Sequence, residues 1–186
     1  MSANPKRIIC FSGKRKSGKD YIADLLHKRL AGSVVIRLSA PIKQHWAESM
    51  NLDLTKLLSD EEYKENYRAK MIEWGEDKRS KDPNFFCRSA IQMCRGHEYS
   101  IWIVSDMRRT SDWSFFHDHY PGSVTTVRIK SSDAVRVSRG FVFVPGIDDA
   151  ESECGLDHVI DWDFVIQNDG DESSLETDLR RLTNYC

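Results

Sequence analysis

The chain has 186 residues, 40% of them hydrophobic and 30% charged, with a formal net charge of −2. This length suits one domain around a single substantial core, and the composition excludes a disordered tail. A near-neutral balance also excludes a general electrostatic trap for nucleic acid, so the local knots of positive charge at Lys14, Arg15, Lys16 and Lys19 and at Arg108 and Arg109 point to a small anionic ligand.

In chain order, Arg7 to Ser12 reads as a short buried strand, followed by a Gly/Lys loop from Gly13 to Asp20. Tyr21 to Leu30 carries Ile22, Leu25, Leu26 and Leu30 at helical spacing, and Gly32 stops that helix. Val34 to Leu38 is a second strand, and Ser39, Ala40 and Pro41 open the next helix. Asn51 to Asp82 is long and highly charged, with Tyr63, Tyr67, Met71 and Trp74 at helical spacing, and reads as two helices. Asp82-Pro83 breaks that run, and Asn84 to Cys94 forms another helix.

Ser100 to Ser105 (SIWIVS) is nearly continuous in apolar character, as expected of a parallel strand covered on both faces. A helix near Asp112 to Tyr120, a strand at Val124 to Ile129, a short helix at Ser132 to Arg139, a strand at Phe164 to Gln167 and a closing helix at Glu172 to Leu182 complete the pattern. Between them, Gly140 to Asp157 holds Pro145-Gly146 and the acidic residues Asp148, Asp149, Glu151 and Glu153, and is the best candidate for a mobile loop. The alternation predicts an α/β fold, a three-layer α/β/α sandwich around a five-stranded parallel sheet, with residues 1–186 as one domain.

Cys10, Cys87, Cys94, Cys154 and Cys186 are odd in number and lack CxxC or Cys/His ligand spacing, so free thiols in a reducing compartment are expected. His117 and His119, two apart on a predicted helix, face different ways and do not suggest a metal site. Trp74, Phe85, Phe86, Trp102 and Phe115 are expected in the core rather than as nucleobase platforms. The N-terminus lacks a signal-peptide apolar run, no stretch approaches the ~20 apolar residues of a membrane span, and Thr183 to Cys186 is no peroxisomal ending; a cytosolic protein is expected.

The strongest motif is Gly13-Lys14-Arg15-Lys16-Ser17-Gly18-Lys19-Asp20, which fits G-x-x-x-x-G-K with Asp20 at the usual Ser/Thr position. A strand precedes it and an amphipathic helix follows, as a phosphate loop requires. Glycines let the backbone curl so that N–H groups converge on phosphate oxygens, and the helix N-terminus adds partial positive charge. Lys19 would reach the β and γ phosphates, and Ser17 can donate to a phosphate oxygen. A carboxylate at Asp20 would hold Mg²⁺ through water; as a surface loop, the same segment would use Asp20 to cap its helix.

After SIWIVS come Asp106, Met107, Arg108 and Arg109, at the carboxyl end of a parallel strand where such sheets bind ligands. Asp106 can hold metal-bound water, orient a phosphate-binding arginine, or cap the next helix. Arg108 and Arg109 can grip phosphate bidentately or form a solvated pair. Lys64 and Arg68 share a helix face, and with Arg79 and Arg88 they are either ligands or a solvated surface. Arg136 and Arg139 precede the expected mobile loop and could reach a transferring phosphoryl group when it closes.

Five blocks, Phe11 to Asp20, Tyr63 to Arg79, Asp82 to Arg88, Trp102 to Asp112 and Pro145 to Asp157, closely resemble animal-type phosphomevalonate kinases, in the same order and over nearly the whole chain. The resemblance implies a P-loop kinase fold similar to nucleoside monophosphate kinases, with a helical substrate-binding insert at about 51–95 and a mobile lid at about 136–157. It implies transfer of the ATP γ-phosphoryl to 5-phosphomevalonate, dependence on Mg²⁺, and a place in isoprenoid and sterol precursor synthesis. By the same resemblance, Lys14 to Asp20 and Arg139 would hold ATP, with Asn168 nearby. Lys64, Arg68, Arg79, Arg88, Arg108 and Arg109 would serve the phosphorylated substrate or the transfer. Lys16, Lys19, Asp106, Arg108 and Arg109 are thus the candidate catalytic residues, Gly13 to Asp20, Arg139 and Asn168 the nucleotide candidates, and Arg136 joins the substrate arginines. Asp20 and Asp106 are the candidate metal ligands, through water. No nucleic-acid or membrane partner is expected, and a monomer is. The alternatives are another small-molecule or nucleoside monophosphate kinase of this fold, or a non-catalytic nucleotide-binding switch; the NKxD element by which such switches select guanine is absent.

Overall fold

A computed structural model describes residues 4–59 and 61–185. The first three residues, Asp60 of the expected insert and Cys186 among the cysteines lie outside them. Strand β1 (Arg7–Gly13) runs through a loop into helix α1 (Lys19–Arg29), then β2 (Ser33–Ile36) and α2 (Ala40–Met50). Helices α3 (Leu54–Ser59), α4 (Glu61–Lys81) and α5 (Phe85–Met93) precede β3 (Ile101–Val104) and α6 (Thr110–His119). The chain continues through β4 (Val124–Lys130), α7 (Asp133–Ser138), α8 (Glu151–Cys154), β5 (Phe164–Gln167) and α9 (Glu172–Asn184).

The strands form one parallel sheet in the order β2-β3-β1-β4-β5. The period-two alternation of β1 explains the three layers. Ile8 and Cys10 enter a cluster with Trp102, Val104, Phe115 and Phe116, on the side covered by α5 and α6. Ile9 and Phe11 enter the opposite cluster with Ile22 and Leu26 of α1 and Leu175, Leu179 and Leu182 of α9. A strand buried on both faces needs helices above and below it, and those helices leave the carboxyl ends of β1 and β3 open side by side.

The predicted stripe on α4 is real. Tyr63, Tyr67, Met71 and Trp74 pack with Trp46 and Leu57 into a third, smaller cluster that fixes the α2–α4 helices to one another. Phe86, Trp102 and Phe115 are buried as expected, whereas Trp74 and Phe85 are only half-buried. His117 and His119 each bond through Nδ1 to the main chain of α6 at 2.9 Å, and no cluster of three metal-ligating side chains exists among the described residues. No helix among them is long and apolar enough to cross a membrane.

Two segments differ from the sequence reading. Strand β2 ends at Ile36 rather than Leu38, because the Leu38 and Ser39 N–H groups turn away to bond the Asp106 carboxylate at 2.6 and 3.0 Å. The segment 140–157, expected as a mobile loop, carries regular structure and buried carboxylates. It contains α8, and Asp148 and Glu153 are buried, at 8% and 7% exposure.

Candidate active site

The loop between β1 and α1 is held in a curl by its own backbone. Lys16 and Gly18 both have positive φ, 64° and 86°. Glycine is required at position 18, where a Cβ would lie 2.3 Å from Asn168 Nδ2. Gly13 is equally constrained: a Cβ there would meet Ser17 Oγ at 2.7 Å and the Ile129 carbonyl at 2.8 Å. The outer side of the loop is tied down by its neighbours. Asn168 Nδ2 donates to the Ser17 carbonyl at 2.8 Å, and Arg139 donates to the same carbonyl at 3.2 Å and to the Asn168 carbonyl at 3.0 Å. Arg136 Nε donates to the Arg15 carbonyl at 2.9 Å while its guanidinium lies 3.9 Å from the Phe141 ring centre.

Beside this loop, at the carboxyl ends of β1, β2 and β3, opens a cavity of about 770 Å³. Arg15, Lys16, Gly18, Lys19, Asp20 and Arg139 form its loop wall. Lys64, Arg68 and Arg79 of α4 form the opposite wall, and Asp106, Arg108 and Arg109 the floor after β3. The structure therefore brings together most of the residues singled out above. Gly13, Lys14, Ser17 and Asn168 support the loop from behind without lining the cavity. Arg136 lies on that same outer side, and Arg88 points away, exposed and paired with Asp82.

Asp106 follows none of the three sequence readings alone. Its two oxygens accept the Leu38 and Ser39 N–H groups, so it fastens the start of α2 to the end of β3 while remaining on the cavity floor. The carboxylate that caps α6 is instead Asp112 in its first turn, which accepts the N–H groups of Arg108 and the N-cap residue Arg109 at 3.2 Å each and so fixes the backbone that carries both arginines. Burial pushes the Asp112 carboxyl up, against the pull of Arg79.

Lys19 is 5% exposed. Burial, reinforced by Arg108, pushes its ammonium down from 10.5 to about 7, and Asp20 and Asp106 offset only part of that. Burial also lowers Arg108 and Arg79. A cavity that makes its own cations uncomfortable is set up to receive negative charge.

Lys43 and Arg37 were missed in the sequence reading, and both line the cavity. Lys43 sits in the first turn of α2, lowered by burial and by Lys64. The available signal was position: a cation just past the carboxyl end of a parallel strand faces the ligand edge of the sheet. Arg128 was also missed. It bonds Ser12 Oγ at 3.0 Å and Asp157 at 2.7 Å, bracing β4 against the segment before β5.

A curled phosphate loop on a central parallel strand, facing a cationic cavity walled by inserted helices, defines a P-loop kinase of the small-molecule type. Two solved structures share the fold. A sugar kinase from Janibacter sp. HTCC2649 superposes with a TM-score of 0.52 at 17% identity, covering 96% of this chain and 95% of its own. A gluconokinase from Sinorhizobium meliloti gives 0.52 at 16% identity over 97% and 95%. The phosphomevalonate kinase family model matches residues 11–122. A Drosophila melanogaster phosphomevalonate kinase is 43% identical over 182 residues, covering 95% of this chain and 96% of the relative. The chain belongs to the phosphomevalonate kinase family.

Proposed function

We propose that this chain transfers the γ-phosphoryl of ATP to (R)-5-phosphomevalonate, giving (R)-5-diphosphomevalonate and ADP in the mevalonate route to isoprenoids and sterols. The observation that carries this reading is the opposed placement of the two cationic walls. The loop wall suits a nucleotide triphosphate, and Lys64, Arg68 and Arg79 suit a second anion across the cavity. Membership of the family names the acceptor.

An acceptor phosphate monoester is largely ionised near neutral pH (second pKa about 6), so no general base is needed. Its oxygen attacks Pγ, and the bond from Pγ to the β,γ-bridging oxygen breaks as ADP leaves. The obstacle is repulsion between two anions. Lys19, buried and hungry for negative charge, is placed to follow the phosphoryl group as it moves; Arg108 and Arg109, on backbone fixed by Asp112, neutralise the acceptor and hold it in line.

For a magnesium ion the protein offers Asp20 and Asp106 at the cavity, and no group of three ligating side chains among the described residues. That set fits an ion carried by the nucleotide's own phosphates, with the two aspartates holding its water ligands. When bound, the ion would neutralise charge on the β and γ phosphates. We read the protein as a monomer acting on a small molecule, with the cytosol as its compartment.

The test is a coupled ADP-release assay with 5-phosphomevalonate, mevalonate and nucleoside monophosphates as acceptors. Saturable, magnesium-requiring turnover with 5-phosphomevalonate is expected. Turnover confined to a nucleoside monophosphate would transfer the chain to the rival kinase reading, and ATP binding without turnover on any acceptor would leave only the switch.

A further inference from the structure

The acidic run before β5 is unused by the mechanism above, yet one of its members is a buried carboxylate held between two of the substrate arginines. The Glu153 side chain on α8 is 3% exposed. Its Oε1 accepts from Arg68 Nη2 at 2.9 Å and from Arg108 Nη1, and its Oε2 is buried without a hydrogen-bond partner. Arg68 comes from α4 and Arg108 from the loop after β3, so a single oxygen joins two otherwise separate walls. Both arginines line the cavity, whereas Glu153 does not. It stands behind them.

Two guanidinium groups converging on one point repel each other, and burial intensifies the repulsion. A carboxylate behind them removes that repulsion while consuming only one N–H donor from each, leaving others for a ligand in front. The same segment also reaches the nucleotide loop. Lys14 Nζ pairs with Asp157 and donates to the Glu153 carbonyl at 3.4 Å, Arg15 donates to the Val142 carbonyl at 3.0 Å, and Arg15 Nε lies 3.6 Å from Asp148. Gly155 seats α8 against the arginine loop, since a Cβ there would meet the Arg108 carbonyl at 2.9 Å.

We infer that Glu153 is a positioning residue for the acceptor: it sets the spacing of Arg68 and Arg108 so that both grip the acceptor's phosphate, and it makes that spacing depend on the docking of segment 140–157 against the nucleotide loop. The inference rests on the functional reading above, and deepens it by assigning the acidic run to acceptor specificity.

The experiment compares wild type, Glu153→Gln and Glu153→Asp, with KM for each substrate measured separately and melting temperature recorded. Glu153→Gln keeps the size and loses the charge; the acceptor KM is expected to rise at least tenfold while the ATP KM stays within about twofold. Glu153→Asp retains the charge on a shorter stem and should recover part of the loss. In an Arg68→Ala background, Glu153→Gln should have a much smaller further effect, because the pair acts as a unit. Parallel rises in both KM values, with a lowered melting temperature, would reduce Glu153 to a structural prop. A fall in acceptor KM would mean that the carboxylate competes with the acceptor, and unchanged KM values would remove it from recognition; each overturns the inference. Wild-type turnover of 5-phosphomevalonate in the same assay separates these failures from failure of the functional reading itself.

Discussion

Replacing Lys19 with methionine should make the empty protein more stable while destroying its activity. Methionine matches the unbranched shape of lysine but carries no charge. In the wild type, burial and Arg108 lower the Lys19 ammonium from 10.5 to about 7. At about 1.36 kcal/mol per pKa unit, keeping it charged in the folded protein costs on the order of 5 kcal/mol. Between pH 7 and 10.5 the unfolded chain holds a proton that the folded chain has released. The unfolded state binds more protons there, so the Lys19 contribution makes stability rise with pH across that window and hold level below it. From pH 7 to pH 9 the recovered stability is roughly 2 kcal/mol, or about 4–8 °C in melting temperature for a chain of this size. Scanning calorimetry without nucleotide should therefore show Lys19→Met melting several degrees above wild type at pH 7, with the gap narrowing by pH 9. Its kcat should fall by about 10²–10³ or more, the scale of losing a preorganised donor to transition-state charge. A variant that melts below wild type at pH 7, or a gap that stays constant between pH 7 and 9, would show that Lys19 is not held as an uncompensated buried cation.

The same lysine should make nucleotide binding proton-linked. Anionic phosphates restore its charge, so at pH 8 ATP binding should take up as much as about one proton, read by titration calorimetry in buffers of different ionisation enthalpy; identical apparent enthalpies in all buffers would contradict this. Gly18→Ala forces a side chain onto a φ of 86° and into Asn168. It should lower stability by about 1–3 kcal/mol and abolish tight ATP binding, and a normally melting variant that binds ATP would refute the loop geometry. Arg88, exposed and paired with Asp82, should tolerate alanine with an acceptor KM within about twofold of wild type, whereas Arg68→Ala should raise it at least tenfold. Equal effects of the two changes would mean that the helical insert rearranges around the acceptor.

The sheet and the phosphate loop were legible in the sequence because their signals are local. SIWIVS is apolar without alternation, and Gly13 to Asp20 follows a strand and opens a helix, so neither depends on distant residues for its meaning. The helical insert was legible through the Tyr63, Tyr67, Met71 and Trp74 stripe. Cations were harder. Lys43 and Arg37 look like ordinary solvated residues on a helix and near the end of a strand, and only the arrangement of β2 beside β3 brings them to the cavity. Arg88 shows the reverse: a resemblance can nominate an arginine, but the last turns of α4 and the Asp82-Pro83 break turn it outward. The acidic run was the least legible, since chain spacing cannot reveal that Asp148 and Glu153 face inward while Asp149 and Glu151 do not.

That inward turn resolves an apparent conflict between a net charge of −2 and a cavity dense in lysine and arginine. The carboxylates stand behind the cations: Asp148 behind Arg15, Glu153 behind Arg68 and Arg108, Glu76 behind Arg109, and Asp157 behind Lys14 and Arg128. The pairs at Arg15, Arg68, Arg108 and Arg109 offset repulsion between cations that line the cavity and leave their fronts open to it, while Asp157 holds Lys14 and Arg128 outside it. Lys19 differs, as does Lys43: burial and a neighbouring cation outweigh Asp20 and Asp106 around each. The paired arginines are thus balanced within the protein, while Lys19, on the functional reading proposed above, would receive its counter-charge from the nucleotide. Such an arrangement concentrates the gain from anion binding at the point where charge migrates during transfer, which is where it lowers the barrier rather than only tightening the complex.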